Sequence, residues 1–543
     1  MNKNIYSVVI IAFGLLSMGL LSSCEDQLEI DPNSYYVKDN FFKNTTQAEL
    51  SVKGIYDVFS KTETYSHLLS LNYPLDNDVS YMKGTGFTND NRRIAHYGLT
   101  PSVSFVEKTW MNLYKGIEYA NVSIENITNM AQFTNGTEEE KEKLSQLVGE
   151  AKFLRAFIYF DLVRLWGDVP LKTTATQATD NFEIARTDKD LVYKQIIQDL
   201  RDAKAVLPEV SPNSNDRANQ GAVRGYLVRT LLYRAGYALS QEGVMKRHDN
   251  YKTYLKEAAI EAKELMALPG YGLLSNYETV FKNLAEFKQD PSENLFEIAF
   301  YDVSGSRTDT GIIGTWNSPK VDQGVYGRAN AYVIVRPQFK AEFTAEDNRR
   351  DVAVAEFTID KNGVQKPLSA KKVKYPGKWR RDWIAEPALD KNNTNVNWCT
   401  LRYADVLLMF AEAVNELRSE MPEGIVLADA FDAINKVRTR AGLENLDASL
   451  SYEDFLAAIK QERKLELCFE GWRKYDLVRW NELGSKLRET QEMINSNYSS
   501  TNENGNNVGY MAGITFTDNK DELLPIPQRD RDENSLLSQN PNY

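Results

Sequence analysis

The sequence predicts a mostly α-helical protein, in which tetratricopeptide-like helical hairpins form a right-handed scaffold and a loop-rich insertion carries short β elements. Three observations lead there. Apolar residues recur at spacings of three and four along most of the chain. The helical stretches follow one another in pairs joined by short turns, the first member aromatic-rich and the second alanine-rich, so that each pair buries its face only against the next. One long stretch, residues 276–397, breaks the pattern with Gly, Asn, Asp, Tyr and Trp. No strict period of about 34 residues holds, so the repeats are degenerate.

The elements follow in order. Residues 1–23 read as an export signal: Lys3 near the start, then an almost wholly apolar run from Ile5 to Leu21. The run falls short of the about 20 residues a spanning helix needs. It ends in Leu21-Ser22-Ser23-Cys24, which resembles a bacterial lipobox. That resemblance implies cleavage before Cys24 and acylation of its sulfur and new amino group, which meets the need for at least two chains in a stable anchor. Ser23 departs from the commoner Gly or Ala.

About 520 residues then remain, more than one core's worth. We divide them into an N-terminal helical region, 24–240, and a C-terminal region, 241–543, that includes the insertion. "TTQAELSVKGIYDVFSK" is a capped amphipathic stretch with Leu50, Ile55, Val58 and Phe59 toward one side. Trp110, Leu113, Ile117 and Ala120 mark a second helix. The strongest opens on acids at 138–140, runs through Leu147, Ala151, Leu154, Ile158 and Leu162, and is closed by Gly167 and Pro170. Further helices precede Pro208, span "NQGAVRGYLVRTLLYRAGYAL" and "YKTYLKEAAIEAKELMALPGYG", and return as "RYADVLLMFAEAVNELR" and "VLADAFDAINKVRTRAGL". In the insertion, "ENLFEIAFYDV" and "AYVIVRPQF" are strand-like.

Composition excludes some functions. A net charge of −12 argues against nucleic acid, which wants a basic face. It also disfavours polyanionic ligands, except where a local patch overrides the global balance. Cys399 and Cys468 sit in apolar settings and read as small buried thiols, with a disulfide between them as the alternative in an exported protein. With no C-x-x-C and no Cys/His cluster, no metal site is expected, and no cofactor. His67, His96 and His248 are far apart, and no hydrolase or P-loop spacing occurs. A glycosidase needs only two placed carboxylates, but no acidic pair stands in a recognisable context.

Binding is easier to motivate. A sugar offers an apolar face for an aromatic ring and hydroxyls for carboxylate, amide and guanidinium groups. Trp110, Trp166, Trp472 and Trp480 sit in helical motifs and read as packing residues, whereas Trp316, Trp379 and Trp383 lie in the irregular insertion with no helix face to bury them. The loop at 72–93 gathers Asp76, Asn77, Asp78, Tyr81, Arg92 and Arg93, and "GTWNSPKVDQGVYGRANAY" offers Trp316, Asn317, Tyr326 and Asn330. For Asp76, Asn77 and Asp78, turn formation competes with ligand contact. The run 347–351 reads as a solvated ion-pair cluster. Glu462, Arg463, Glu466, Glu470 and Arg473 fall at spacings that intra-helix pairs would explain.

Taken together, "TWMNLYKGIEYAN", "GEAKFLRAFIYFDLVRLWGDVP", "LRYADVLLMFAEAVNE", "AINKVRTRAGL", "ERKLELCFEGWRKYDLVRW" and "LLPIPQRDRDENSLLSQNPNY" resemble the SusD/RagB family of nutrient-binding lipoproteins over essentially the whole mature chain. The ending Pro541-Asn542-Tyr543 departs from the family's Pro-Gly-Tyr. The resemblance implies a surface-exposed lipoprotein held in the outer membrane through Cys24, which binds an oligosaccharide or polysaccharide and delivers it to a SusC-like TonB-dependent transporter. It implies binding rather than catalysis. Glu25 and Asp26 resemble the family's surface-export tag. The alternatives are a peptide receptor, an exported glycoside hydrolase, or a scaffold subunit that binds no cargo. Because the family's ligand residues vary with cargo, none is carried over by motif.

Overall fold

A computed structural model describes residues 41–208, 215–300, 311–369, 373–384, 394–497 and 509–543. The export signal and Cys24 lie outside them. Among the described residues no helix is long and apolar enough to cross a membrane.

The scaffold is a succession of antiparallel helices. Helices α1 (Thr45–Asp57) and α2 (Ser104–Thr128) pack on α3 (Glu138–Trp166), followed by α4 (Lys189–Val206), α5 (Gln220–Ala235) and α6 (Tyr251–Ala267). After α7 (Tyr277–Ala285) and the insertion, α8 (Tyr403–Glu416) packs on α6, and α9 (Leu427–Arg440) and α10 (Tyr452–Glu466) pack on α8. Two further helices, α11 (Arg473–Arg479) and α12 (Leu483–Asn497), follow.

Helix α3 is the spine. Thr137 and Glu140 form a reciprocal capping box at its start, and Gly167, at φ 72°, ends it. Its last fourteen residues are all buried, which a two-faced helix would not allow. The polar ones are therefore paired: Arg155 reaches Asp199 at 2.7 Å, and Asp161 accepts from Tyr65 at 2.7 Å and pairs with Arg164 at 2.8 Å. In α1, Ala48, Val52 and Ile55 form the buried face, while Leu50 is 48 % exposed, because the neighbouring α2 and α3 determine which side of α1 faces inward. Trp110, Trp166 and Trp472 are buried as expected, and Trp480 is half-buried. Cys399 and Cys468 are buried free thiols.

The insertion is more ordered than composition implies. It opens on α7, whose Tyr277, Val280, Phe281 and Leu284 form an apolar stripe capped by Asn276. Strands β2 (Asn294–Ile298) and β8 (Trp398–Arg402) pair antiparallel and tie its two ends together. Between them, β3 (Val321–Gly324), β4 (Gly327–Ala329), β6 (Phe357–Ile359) and β7 (Gln365–Pro367) make a four-stranded sheet. β5 (Val333–Val335) leaves that sheet to pair with β1 (Ser80–Met82).

A buried charge network joins insertion to scaffold. Arg349 pairs with Asp347 (2.8 Å), Glu462 (2.5 Å) and Glu466 (3.2 Å). Arg402 reaches Glu293 and Glu466 at 2.9 Å and Glu470 at 2.7 Å. Arg440 meets Glu293 and Glu466 at 2.6 Å, and Lys378 meets Glu470 at 2.6 Å. Burial by itself would raise the Glu466 carboxyl, but Arg440, Arg402, Arg349 and Lys378 hold it well below the usual carboxylate range.

This network corrects two sequence expectations. In the 347–351 run Asn348 and Asp351 are exposed and Arg350 is half-buried, but Asp347 and Arg349 are buried and paired. The charges of 462–473 pair across elements rather than along one helix: Arg463 with Asp405 (2.7 Å) and Asp476 (3.0 Å), Arg473 with Asp78 (2.7 Å). These side chains face inward, where partners come from neighbouring elements.

Two stability outcomes follow. Glu466→Ala leaves Arg349, Arg402 and Arg440 short of a carboxylate and should destabilise the fold by about 3–5 kcal/mol, read as a lowered thermal midpoint. Phe287 stands at φ 56° just past α7, where Lys288 N donates to Asn283 O, and its ring is 48 % exposed. A Cβ there costs about 1 kcal/mol, so Phe287→Gly should raise the midpoint.

Candidate functional site

The β1–β5 ladder builds the site. Tyr81 stands opposite Ile334, Ser80 opposite Val335 and Met82 opposite Val333, and Lys83 N donates to Tyr332 O at 2.8 Å. This pairing draws the loop at 72–93 against the insertion, two stretches some 250 positions apart in sequence. A groove of about 890 Å³ opens beside it. Tyr81, Lys83 and Arg92 line one bank, and Lys320, Arg328 and Tyr332 line the other.

The loop is held from beneath. Asp76 is fully buried, with its Oδ2 2.6 Å from His96 Nδ1. Its Oδ1 accepts from Met82 N at 2.7 Å and its carbonyl from Tyr97 Oη at 2.7 Å. Asn77 Oδ1 accepts from Val79 N (2.8 Å) and Ser80 N (3.0 Å), the Asx turn that leads into β1. Asp78 pairs with Arg473 at 2.7 Å and Lys464 at 3.2 Å. Burial would raise its carboxyl, but those two cations hold it well below the usual range. These three residues thus fix the loop's shape from inside.

The remaining sequence candidates separate. Tyr81 lines the groove but is almost wholly buried, edge-on to Tyr510 at 5.7 Å. Arg92 stands half-buried on the rim, donating to Thr88 Oγ1 at 3.0 Å. Trp316 is half-buried 4.5 Å from the Tyr332 ring, with buried His67 at 4.2 Å behind it. Asn317 is buried and donates to Phe469 O at 3.0 Å. Tyr326 packs on the small cluster of Val321, Ala329 and Ile359. Trp379 is buried and stacks on Trp398 at 4.9 Å, and Trp383 is buried beneath Arg380 at 4.5 Å. Absence of helical periodicity around Trp379 did not signify exposure, because α7 supplies Phe281 against it at 5.7 Å.

Sequence reasoning passed over Lys83, Lys320, Arg328 and Tyr332. Tyr332 follows Asn330 by two positions, and the strand-like run after it was the signal that could have placed it beside Tyr81. Asp76, Tyr97 and Ala331, near the groove, hold left-handed φ of 52°, 57° and 51°.

The fold and this groove define a class: a helical-hairpin scaffold with a polar, aromatic-bearing cleft where an inter-helix loop meets an insertion. Residues 299–543 match the SusD family, and residues 49–232 match the family described as starch-binding and associating with the outer membrane. A crystal structure of a SusD homologue from Bacteroides thetaiotaomicron shares 30 % identity at a TM-score of 0.83, covering 93 % of this chain and 98 % of that one. The SusD-like protein P25 of Formosa agariphila is 26 % identical over 501 residues, covering 84 % of this chain and 87 % of that one. Surface glycan-binding protein A of B. thetaiotaomicron, solved with laminarihexaose, superposes at a TM-score of 0.68 with 20 % identity, covering 92 % and 99 %. The chain belongs to the SusD family.

Two histidines give the site a pH signature. Burial lowers His67 to about 3, so its ring stays neutral down to that pH. Burial would also lower His96, but Asp76 and the Gly84 carbonyl raise it above its ordinary value. A raised folded-state value contributes stability that is full below about pH 6.5 and is lost as pH rises through the folded value. Imidazole NMR titration should therefore show His96 titrating above, and His67 far below, the ordinary range. The stability gap between wild type and His96→Gln should narrow as pH rises.

Proposed function

We propose that this chain is a surface lipoprotein, anchored to the outer membrane through acylated Cys24, that captures a glycan in the groove between the 72–93 loop and the insertion and passes it to a TonB-dependent transporter. The observation that carries the reading is the groove itself. Tyr332, backed by Trp316, offers a ring for a sugar face, and Arg92, Lys83, Gln323 and Asn330 offer donors and acceptors for hydroxyls. The laminarihexaose complex of a protein with the same fold supports it, as does the starch-binding description of the N-terminal match.

The reading is one of binding without bond cleavage. Glycoside hydrolysis needs two placed carboxylates. Among the described residues lining the groove, Asp322 is the acid present, and it pairs with Lys320 at 3.1 Å. Asp76 beneath is engaged with His96.

In glycan-containing native gels, wild type should be retarded. Tyr332→Ala should lose about tenfold in affinity, the loss of one stacking ring, with an unchanged melting curve, whereas Tyr81→Ala should destabilise by about 3 kcal/mol because its ring is buried. Unchanged retardation of Tyr332→Ala would remove the groove from the proposal. Labelled palmitate should enter the protein, and Cys24→Ala should abolish that incorporation.

A further inference from the structure

The balance of charge in the groove points to one kind of glycan. Lys83 and Arg92 stand on one bank and Lys320 and Arg328 on the other, against Asp322. Lys320 is neutralised by Asp322. Among the described residues, no ion pair joins Lys83, Arg92 or Arg328 to a carboxylate, although the chain as a whole carries a net charge of −12 and pairs cations even in its core. Three uncompensated cations around one cleft repel one another and leave a local field opposite to that of the whole protein.

Arg92 is held in position. A Cβ on Gly84 would lie 2.1 Å from Arg92 Nη2, so only the bare backbone of Gly84, at φ +97°, leaves room for the guanidinium. Arg92 Nη1 donates to Thr88 Oγ1 at 3.0 Å and more weakly to Thr85 O at 3.4 Å, and Asn89 Oδ1 caps Arg92 N at 3.0 Å. All of these acceptors are neutral, so they fix the fork without cancelling its charge. A planar guanidinium held this way matches a carboxylate or sulfate through paired donors.

We propose that the groove selects acidic glycans: Arg92 receives a ring-borne carboxylate or sulfate, and Lys83 and Arg328 supply the surrounding positive field. This rests on the groove being the glycan site. A neutral sugar would stack on the Tyr332 ring and accept hydrogen bonds from the cations but leave their charge uncompensated, whereas an oxyanion compensates it.

Calorimetry on the full-length protein in detergent would use four hexasaccharides: oligogalacturonate, chondroitin sulfate, laminarihexaose and maltohexaose. At least one of the acidic pair should bind about tenfold or more tighter than both neutral ones, and its affinity should fall as salt rises from about 50 to about 500 mM. Preference for oligogalacturonate identifies the carboxylate, and preference for chondroitin sulfate the sulfate. Arg92→Gln should cost about tenfold for the acidic ligand and only about twofold for a neutral one, which loses a hydroxyl contact but no charge pairing. Gly84→Ala, which keeps every charge but displaces the fork, should lower acidic binding as well. Neutral ligands bound as tightly as acidic ones, or an equal loss for both in Arg92→Gln, would overturn the charge selection while leaving the glycan reading intact. No binding of any of the four would overturn both.

Discussion

The buried charge network of Arg349, Arg402, Arg440 and Lys378 with Asp347, Glu293, Glu462, Glu466 and Glu470 is the constraint on which the rest depends. Arg438 adds a fifth cation by pairing with Glu462 at 3.0 Å, so the charges balance. Buried ions are tolerated only when every partner is present, since each unpaired ion costs several kcal/mol. The partners come from the insertion, including Glu293 just before β2, from the end of β8, from helices α9 and α10, and from the turn after α10. Each of these elements must therefore be in place before any of the charges is satisfied. This makes the network a strong condition on topology, whatever its net contribution to stability.

The constraint extends to the groove through adjacent residues. Arg463 joins a second buried set with Asp405 and Asp476, and Asp405 also holds Arg229 at 2.5 Å. The next residue, Lys464, turns to Asp78 and Glu342, and Arg473 at the start of α11 grips Asp78 as well. Helix α10 thus holds the core with one side chain and the base of the 72–93 loop with the next. The groove sits on a loop that is tied down electrostatically before a ligand arrives, so binding need not first order the backbone.

Backbone strain is present there too. Tyr97 has a left-handed backbone that an aromatic residue rarely adopts, at a cost on the order of 1–3 kcal/mol. Its hydroxyl donates to the Asp76 carbonyl and its ring lies edge-on to Phe516 at 5.0 Å. Those contacts hold Asp76 in its own left-handed turn, from which its carboxylate reaches His96. Arg92 can then be held against neutral acceptors, because Asp76 and Asp78 point inward.

The chain determined its helices by itself. Periodicity, the Thr137–Glu140 cap and Gly167 place α3 without reference to any other element, and the ordered motifs of both halves carried the family. The general zones of the candidate site were legible for the same reason: polar, glycine-rich stretches between helices are where a scaffold can expose irregular backbone. Tertiary structure alone decided which residues in those zones face out. Asp76, Asn77, Asp78, Trp379 and Trp383 had the composition of ligand contacts but are buried, because partners distant in sequence, among them His96, Arg473 and Trp398, close over them. Lys83 and Tyr332 became neighbours only when β1 paired with β5, and a register set between strands that far apart leaves no periodic trace in either one.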